Sequence, residues 1–243
     1  MKQFFLENGF AKFEQIISKS EVEKLQLLYN DLLEDKNRTA GLRSDLAGGI
    51  EGDNRGETVE KITQIMRPSL IEPMLSESIV YEMALAKARM LLGDDMELDF
   101  DMLINKAPFT NTETPWHQDA AYWIKMPDKR AVSCWIALDK VTEENGCMWF
   151  IPKENDDEIL EHFPLPNKGA LYCTTATDNA QSVPLNAGDC TFHDGFTLHF
   201  SKGNITASQR RALILNFRPK AMIALEREQG VDHTGDRKVR NKK

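Results

Sequence analysis

The stretch TPWHQDAAYW, residues 114–123, holds an imidazole and a carboxylate one residue apart, at His117 and Asp119. Alternate residues of a β-strand point to the same face of a sheet, so both side chains can reach one point in space. Such a pair suits a metal site, a catalytic base or a hydrogen-bonded pair in the core. Because H-x-D arises often by chance, the pair alone does not decide among these interpretations.

A facial metal site requires a second imidazole, and four further histidines are available. His162 lies in the acidic run DDEILEHF and His233 in a polar C-terminal stretch, which predicts surface roles for both. His193 and His199 share the segment GDCTFHDGFTLHFSKGN. Spacing alone does not choose between these two histidines.

The elements that carry these residues are predicted to be strands. From residue 97, short runs rich in β-branched and aromatic residues are separated by Gly, Pro, Asn and Asp, a pattern typical of sandwiches and barrels. The runs are LDFDMLIN, AVSCWIALDKV, GCMWFIP, GALYCTTA, DCTFHDG and RALILNFRP. Strands that follow strands without intervening helices favour an antiparallel jelly roll. Asn145–Gly146 is predicted to form a hairpin turn, and Asn204 is assigned a structural role.

Two helices are predicted before this region. In SKSEVEKLQLLYNDLLED, Ser20 is the predicted N-cap because Glu23 follows three residues later. Its apolar stripe at helical spacing is Val22, Leu25, Leu28, Tyr29 and Leu32. In SESIVYEMALAKARMLLG, Gly93 marks the predicted end. The predicted apolar face of this second helix is Ile79, Val80, Met83, Ala86 and Met90. The glycine-bearing segment 37–60 between the helices is predicted to be either a lid or disordered.

The whole chain is interpreted as one domain over residues 1–243, mainly β with bracing α-helices. A helical part covers about 1–95, and the jelly-roll core covers about 97–220. The formal net charge of −8 argues against a nucleic-acid or anionic-membrane binder, and no run of ~18 apolar residues suits a membrane span. The cysteines lack paired spacing and are predicted to be reduced core thiols of a cytoplasmic protein: Cys134, Cys147, Cys173 and Cys190.

A family resemblance adds to this interpretation. The blocks MLINKAP, WHQD, CWIALDKVTEENGCMWFIP and HFSKGNITASQRRALILNF follow one another as in the phytanoyl-CoA dioxygenase family, over roughly residues 100–219. Members of that family are iron(II)- and 2-oxoglutarate-dependent oxygenases with a double-stranded β-helix (jelly-roll, cupin-like) core. The resemblance implies that His117, Asp119 and His199 ligate iron, with three positions open for cosubstrate and dioxygen. It leaves His193 as a neighbour of the site.

The resemblance also implies a partner for the far carboxylate of 2-oxoglutarate. Arg210, eleven residues past His199, stands at the family's position for this cation, and a guanidinium binds a carboxylate in bidentate fashion. Only one of two adjacent strand residues can face inward, so Arg211 is then expected to be a surface charge.

Further cosubstrate contacts follow from the same resemblance. Ser201 matches a hydroxyl donor to the far carboxylate, and Trp135 and Met102 match residues that line the pocket. Lys61 in VEKIT corresponds to a cosubstrate-contacting lysine, in an alignment that can slip to Gln64.

The resemblance implies hydroxylation of a small-molecule substrate, with ascorbate as a supporting reductant. Related halogenating enzymes carry a small residue at the position of Asp119, so halogenation is not expected. The substrate is left open, although a charge of −8 disfavours acyl-CoA thioesters; Phe109, Tyr122 and Trp123 are candidates for its side of the pocket. Two alternatives remain: a non-catalytic jelly-roll protein that binds metal or 2-oxoglutarate, and a cupin-type metalloenzyme that does not use 2-oxoglutarate. Oligomeric state is not predicted.

Overall fold

The computed structural model of the protein describes residues 1–47, 60–153, 157–165 and 170–234. The helices are α1 (Lys2–Asn8), α2 (Lys19–Glu34), α3 (Pro68–Ile71), α4 (Ile79–Leu92) and α5 (Lys220–Glu228). The strands are β1 (Phe10–Phe13), β2 (Arg43–Asp45), β3 (Ile62–Met66), β4 (Met96–Lys106), β5 (Thr114–His117), β6 (Val132–Ala137), β7 (Met148–Phe150), β8 (Phe163–Pro164), β9 (Leu171–Tyr172), β10 (Gln181–Val183), β11 (Cys190–Asp194), β12 (His199–Ser201) and β13 (Arg210–Pro219).

Two antiparallel sheets face each other. The larger has the strand order β1-β11-β6-β13-β4-β3-β2 and the smaller the order β10-β7-β12-β5, while β8 pairs with β9 separately. Trp135 and Ile214 of the larger sheet pack with Met148 and Phe150 of the smaller one, which makes an inter-sheet core. This arrangement of strands that follow strands, closed by two facing sheets, is the predicted jelly roll.

The alternation of β13 shows how the two faces of the larger sheet differ. Ala212 and Ile214 face the inter-sheet core, whereas Leu213 and Leu215 belong to the core beneath the helices. Successive strand residues point to opposite faces, so β13 separates the interior of the jelly roll from its helical brace.

Helix α2 buries the predicted apolar stripe, but the helix begins two residues earlier than predicted. Val22, Leu25, Tyr29 and Leu32 are buried, and Leu28 packs partly buried against the same core. The N-cap is Ser18, whose hydroxyl accepts a hydrogen bond from Glu21 N (3.3 Å), and not the predicted Ser20. Ser18 has the extended backbone of an N-cap, which leaves Ser20 inside the first turn.

Helix α4 ends at Gly93 as predicted, but of the predicted apolar face only Val80 is buried. Its buried residues are Val80, Tyr81, Ala84, Ala88 and Leu91. Ile79, Met83 and Met90 are instead exposed. The helix is apolar almost all round, so periodicity did not define its orientation, and the small residues Ala84 and Ala88 allow the closest approach to the sheet.

The expectation of a purely helical part over 1–95 is also corrected. β1 pairs with β11, and β3 pairs with β4, so both belong to the larger sheet. These short strands are stabilised by partners far away in sequence, which a local pattern does not reveal. Residues 48–59 of the segment predicted as a lid lie outside the described residues, so that interpretation stays a prediction.

The turn at Asn145–Gly146 connects the two sheets and is not a hairpin, because β6 lies in the larger sheet and β7 in the smaller. The Asn145 side chain accepts from Thr142 N and donates to Lys140 O, both at 2.8 Å. Buried Asn204 donates to the carbonyls of Lys106 and Ser208, the structural role predicted for it. All four cysteines are buried and free, as predicted.

Candidate active site

The pairing of β5 with β12 brings two histidines together. His117 is the last residue of β5, His199 is the first of β12, and the two are direct partners in the antiparallel ladder. Asp119 follows immediately, at the start of a 3₁₀ turn. The H-x-D pair therefore does not share one strand face, because the chain leaves β5 after His117 and the turn directs Asp119 back towards the histidines.

Each histidine is oriented by a backbone carbonyl. His117 Nδ1 lies 2.8 Å from Pro115 O, and His199 Nδ1 lies 2.9 Å from Thr197 O. A carbonyl only accepts, so each Nδ1 carries the proton and each Nε2 keeps its lone pair. The two Nε2 atoms lie 3.9 Å and 3.7 Å from Asp119 Oδ1. Three donor atoms thus converge with their lone pairs available.

The second oxygen of Asp119 is held by neighbours that the sequence interpretation did not identify. Ser133 Oγ donates to Asp119 Oδ2 at 2.8 Å, and Asn216 Nδ2 donates to that hydroxyl at 3.0 Å. His193 Nε2 lies 3.3 Å from the same oxygen. Oδ2 is thereby committed to the protein and Oδ1 faces the histidines, which places His193 behind the carboxylate, as the resemblance implied.

The electrostatics favour a cation at this point. Burial lowers the pKa of His117, and burial with two neighbouring imidazoles lowers that of His199 further, so both rings are neutral ligands. Burial by itself would raise the pKa of Asp119, but the His193 hydrogen bond and the surrounding imidazoles hold it well below its ordinary value. Two neutral imidazoles and one ionised carboxylate form the facial donor set that suits Fe(II).

The donor atoms of His117, Asp119 and His199 all lie within 4.8 Å of one another. Asp99, Glu226 and His233 satisfy the same criterion. There, Arg218 and Arg227 already contact the carboxylates, which leaves little need for a metal ion. The first group fits a metal and the second does not.

A cavity of about 490 Å³ extends from these three residues between the sheets. One end is lined by cosubstrate candidates from the sequence: Met102, Trp135, Ser201 and Arg210. Gln64 also lines the cavity and donates to Met102 Sδ, whereas Lys61 is not among its lining residues. The structure thus brings Gln64 of β3, the residue of the alternative alignment, to the cavity, whereas Lys61 precedes β3 and its cosubstrate role stays a prediction.

Arg210 is a buried cation that lacks an anionic partner among the residues that the structure describes. It is 1% exposed, its guanidinium lies 5.1 Å above the Trp135 ring, and its Nε and Nη1 atoms make no hydrogen bond. Burial lowers its pKa to about 10, so it stays protonated at neutral pH. A buried charge with unsatisfied donors is costly unless an anion joins it. This end of the cavity therefore fits a carboxylate.

Nearby Lys106 is a second buried cation, but its ammonium already donates to three backbone carbonyls, those of Thr112, Ser201 and Lys202. Arg211 faces the other side of the larger sheet, where it pairs with Asp139 and donates to Asn30 Oδ1. Its side chain is only 12% exposed, so the expected surface charge is instead a mostly buried ion pair.

The other end of the cavity is aromatic. Tyr122 and Trp123 line it, as predicted, but Phe109 is 72% exposed and does not. Trp123 packs directly on Gly195, where an added Cβ would lie 2.1 Å from the indole ring. Gly195 O also accepts from Ala120 N at 2.8 Å, which anchors the turn that carries Asp119.

The two histidines expected at the surface both have structural partners. His162 Nε2 accepts from Gln118 N at 3.0 Å, beside the metal-ligand candidates. His233 lines the cavity and stacks on Phe100, with ring centroids 4.0 Å apart. The polar sequence around each residue concealed these tertiary contacts.

Comparison with known proteins identifies the family. The family model for phytanoyl-CoA dioxygenase (PhyH) matches residues 5–212. The chain belongs to the phytanoyl-CoA dioxygenase family. Membership confirms the resemblance drawn from the four sequence blocks and makes the chain an enzyme of the dioxygenase class.

Relatives of this family member match over most of its length. It is 24% identical over 230 residues to a probable phytanoyl-CoA dioxygenase of Caenorhabditis elegans, covering 89% of this chain and 73% of that one. It is 25% identical over 234 residues to an ectoine dioxygenase of Streptomyces anulatus, covering 88% and 76%. EvdO2 of Micromonospora carbonacea var. aurantiaca, solved in complex with 2-oxoglutarate, superposes with a TM-score of 0.72 at 26% identity, covering 89% of this chain and 88% of EvdO2. These matches confirm the jelly-roll fold.

Across the described ranges of the chain, every helix is too short or too polar to cross a bilayer.

Proposed function

We propose that this family member is an Fe(II)- and 2-oxoglutarate-dependent dioxygenase that hydroxylates an unactivated C–H bond of a small-molecule substrate. The observation that carries the proposal is the buried guanidinium of Arg210, whose Nε and Nη1 have no hydrogen-bond partner in the described part of the chain and which lines the same cavity as the donor atoms of His117, Asp119 and His199. A metal site alone suits many enzymes, whereas a metal site with a separate buried carboxylate-binding cation suits a dicarboxylate cosubstrate.

In this proposal His117 Nε2, His199 Nε2 and Asp119 Oδ1 hold the iron. Bound iron(II) with 2-oxoglutarate and dioxygen supplies the oxidant, and the cosubstrate leaves as succinate and CO₂. Ser133 and His193 hold Asp119 Oδ2, so the carboxylate keeps one orientation. Retention of this carboxylate as a ligand supports hydroxylation over halogenation.

Arg210 binds the far carboxylate of 2-oxoglutarate in this proposal, with Ser201 as a hydroxyl donor beside it. Met102 and Trp135 form the apolar walls around the carbon chain, and Gln64 adds an amide at the same end. The pairing removes the desolvation cost of the free guanidinium, which makes cosubstrate binding favourable. Trp135 restricts the guanidinium plane, so a carboxylate is bound in a defined direction.

The aromatic end of the cavity receives the substrate. Arg210 opens β13, Asn216 of the same strand contacts the Ser133 hydroxyl that holds Asp119, and Arg218 further along lies 4.1 Å from the Trp123 ring centroid. Trp123 and Tyr122 therefore lie on the other side of Asp119 from Arg210, where they exclude water from the reacting centre. Tyr122 OH accepts from Leu171 N at 2.7 Å, which fixes its ring beside His117. Among the described lining residues Arg210 is the only lysine or arginine, so a substrate with buried phosphates has no counter-charge.

The test is release of succinate from 2-oxoglutarate by the purified protein with Fe(II), ascorbate and dioxygen, with a panel of small molecules as candidate substrates. The proposal expects release that a subset of compounds stimulates, and no release from His199→Ala. Saturable 2-oxoglutarate binding without turnover on any compound would instead indicate a non-catalytic binding protein. A protein that binds Fe(II) but not 2-oxoglutarate would be a cupin-type enzyme of another kind.

A further inference from the structure

A cluster of charged residues beside the cavity fixes the C-terminal segment. Asp99 of β4 and Glu226 of α5 are buried, and Arg218 of β13 lies 3.0 Å from Asp99 Oδ2 through its Nε. Arg227 Nη2 approaches Asp99 Oδ1 at 2.5 Å. Two carboxylates and two guanidiniums balance in charge, so this cluster is complete before His233 joins it.

His233 joins this cluster from the segment after α5. Its Nε2 lies 3.0 Å from Glu226 Oε2 and 3.4 Å from Asp99 Oδ2, and its ring stacks on Phe100. Its side chain is 12% exposed, and its φ of 61° is left-handed, a conformation that is costly outside glycine. The ring contacts therefore hold a backbone geometry that the chain would not choose by itself.

Further hydrogen bonds position the rest of this segment. Val231 N donates to Glu226 O at 3.1 Å, Arg227 Nη1 donates to Val231 O at 3.1 Å, and Arg67 Nη1 donates to Asp232 O at 2.9 Å. Residues 229–233 all line the cavity, and His233 stacks on Phe100 of β4. On β4, Phe100 pairs with Asn216 whereas Lys106 pairs with Arg210, so this part of the cavity wall lies away from Arg210.

We propose that residues 229–233 form the substrate-facing wall of the active-site cavity and determine which substrates enter, with His233 as the positioning residue that holds this wall against β4. The part about substrate selection rests on the proposed function, whereas the part about positioning does not. Val231 contributes the aliphatic side chain of this wall, whereas the imidazole of His233 is engaged by Glu226, so a change of size at Val231 alters the width of the pocket without removing that contact.

The positioning role is tested on the ligand-free protein by comparing His233→Ala and His233→Gln with Thr234→Ala. Thr234 belongs to the same segment, and among the described residues its hydroxyl donates to Asp232 and does not reach the Asp99–Glu226 cluster, so it is the matched control. Hydrogen–deuterium exchange should show protection of amides 229–231, which donate to carbonyls of α5, lost in His233→Ala, partly restored in His233→Gln and unchanged in Thr234→Ala. Acrylamide should quench Trp123 at least about twofold more in His233→Ala, with Trp123→Phe giving the background of the other three tryptophans. Unchanged exchange and unchanged quenching in His233→Ala would overturn the positioning role.

The selecting role is tested with Val231→Trp on the compounds that stimulate succinate release from the wild type. The variant should bind 2-oxoglutarate within about twofold of the wild type, because Arg210 lies at the opposite end, while stimulation by the larger compounds falls at least about tenfold. Stimulation that is unchanged for every compound would overturn the selecting role. If the wild type bound no 2-oxoglutarate, the proposed function would fail, and the exchange experiment would still decide whether His233 positions the segment.

Discussion

His117 and His199 are direct partners across the antiparallel pair of β5 and β12, and their Nε2 atoms lie 3.9 Å and 3.7 Å from one oxygen of Asp119. The ladder register therefore brings together two of the three candidate metal ligands. A shift by one residue would turn one imidazole to the opposite face. His193 contacts the other oxygen of the same carboxylate and stands outside this arrangement.

Substitution can tell whether His199 or His193 is the second histidine ligand of the metal. His199→Ala should abolish Fe(II) binding, because it removes a ligand. His193→Ala should weaken binding by about 10- to 100-fold, the usual cost of losing a residue that orients a ligand. Isothermal titration of each anaerobic apoprotein with Fe(II) measures both. Loss of binding in His193→Ala with binding retained in His199→Ala would reverse the ligand assignment.

Ser133 should control the orientation of Asp119. Ser133→Ala removes the 2.8 Å hydrogen bond to Asp119 Oδ2 and leaves Asn216 Nδ2 without its acceptor. We expect Fe(II) affinity to fall about 10- to 100-fold with the fold intact. Ser182→Ala is the matched control, since that hydroxyl is exposed and contacts only Glu143. Equal Fe(II) affinity in the two variants would show that Ser133 does not position the carboxylate.

Gly195 should be intolerant of a methyl group. An added Cβ would lie 2.1 Å from the Trp123 ring, so Gly195→Ala must displace the indole from the cavity wall. Overpacking of this kind costs about 1–3 kcal/mol of unfolding free energy, measurable by urea denaturation. In the Trp123→Ala background the same substitution should cost much less, because the clashing ring is gone. An equal loss of unfolding free energy in both backgrounds would show that the clash with Trp123 is not the cause.

His233 should titrate above an ordinary histidine. Burial lowers its pKa, but hydrogen bonds and charges from Asp99 and Glu226 raise it more, despite the nearby guanidiniums of Arg218 and Arg227. The stabilisation from the imidazolium is therefore complete below about pH 6.5 and lost as pH rises through the higher folded pKa.

The pKa of Asp99 determines the lowest pH at which its contact with His233 stabilises the fold. Arginine and imidazolium neighbours hold its pKa near 2 against the effect of burial, so its contribution is present above about pH 4 and lost as pH falls towards 2. Imidazole chemical shifts should give a His233 pKa above 6.5 in the wild type and a lower value in Asp99→Asn. A wild-type value below 6.5 would show that the carboxylates do not engage the ring.

The sequence predicted those parts of the protein in which a pattern has one physical solution. The stripe of α2 has a single apolar face, so Val22, Leu25, Tyr29 and Leu32 were identified correctly. α4 is apolar on several sides, and only the position of the sheet selects its buried face.

The residues of the candidate site also fall into those that the sequence indicated and those that only tertiary contacts reveal. The family resemblance pointed to Arg210, which lines the cavity, and strand alternation turns its neighbour Arg211 to the opposite side of the sheet. Ser133 and His233 carry no motif, because their roles depend on contacts with residues more than ten positions away, Asp119 and Asp99. The pairing of β3 with β4 brings Gln64 rather than Lys61 to the cavity lining, and a weak local alignment did not contain that information.

The proposed function requires Arg210 to bind 2-oxoglutarate beside a bound iron. Equilibrium binding of 2-oxoglutarate to the Fe(II)-loaded protein without oxygen, followed by the charge-transfer absorption of the chelate, compares Arg210→Met with Arg211→Met. Loss of a charged hydrogen-bond partner predicts a dissociation constant raised about 10- to 150-fold in Arg210→Met. Arg211→Met, which lies on the helix side of the sheet, should stay within about threefold of the wild type. Wild-type affinity in Arg210→Met, or the loss appearing in Arg211→Met instead, would contradict the account.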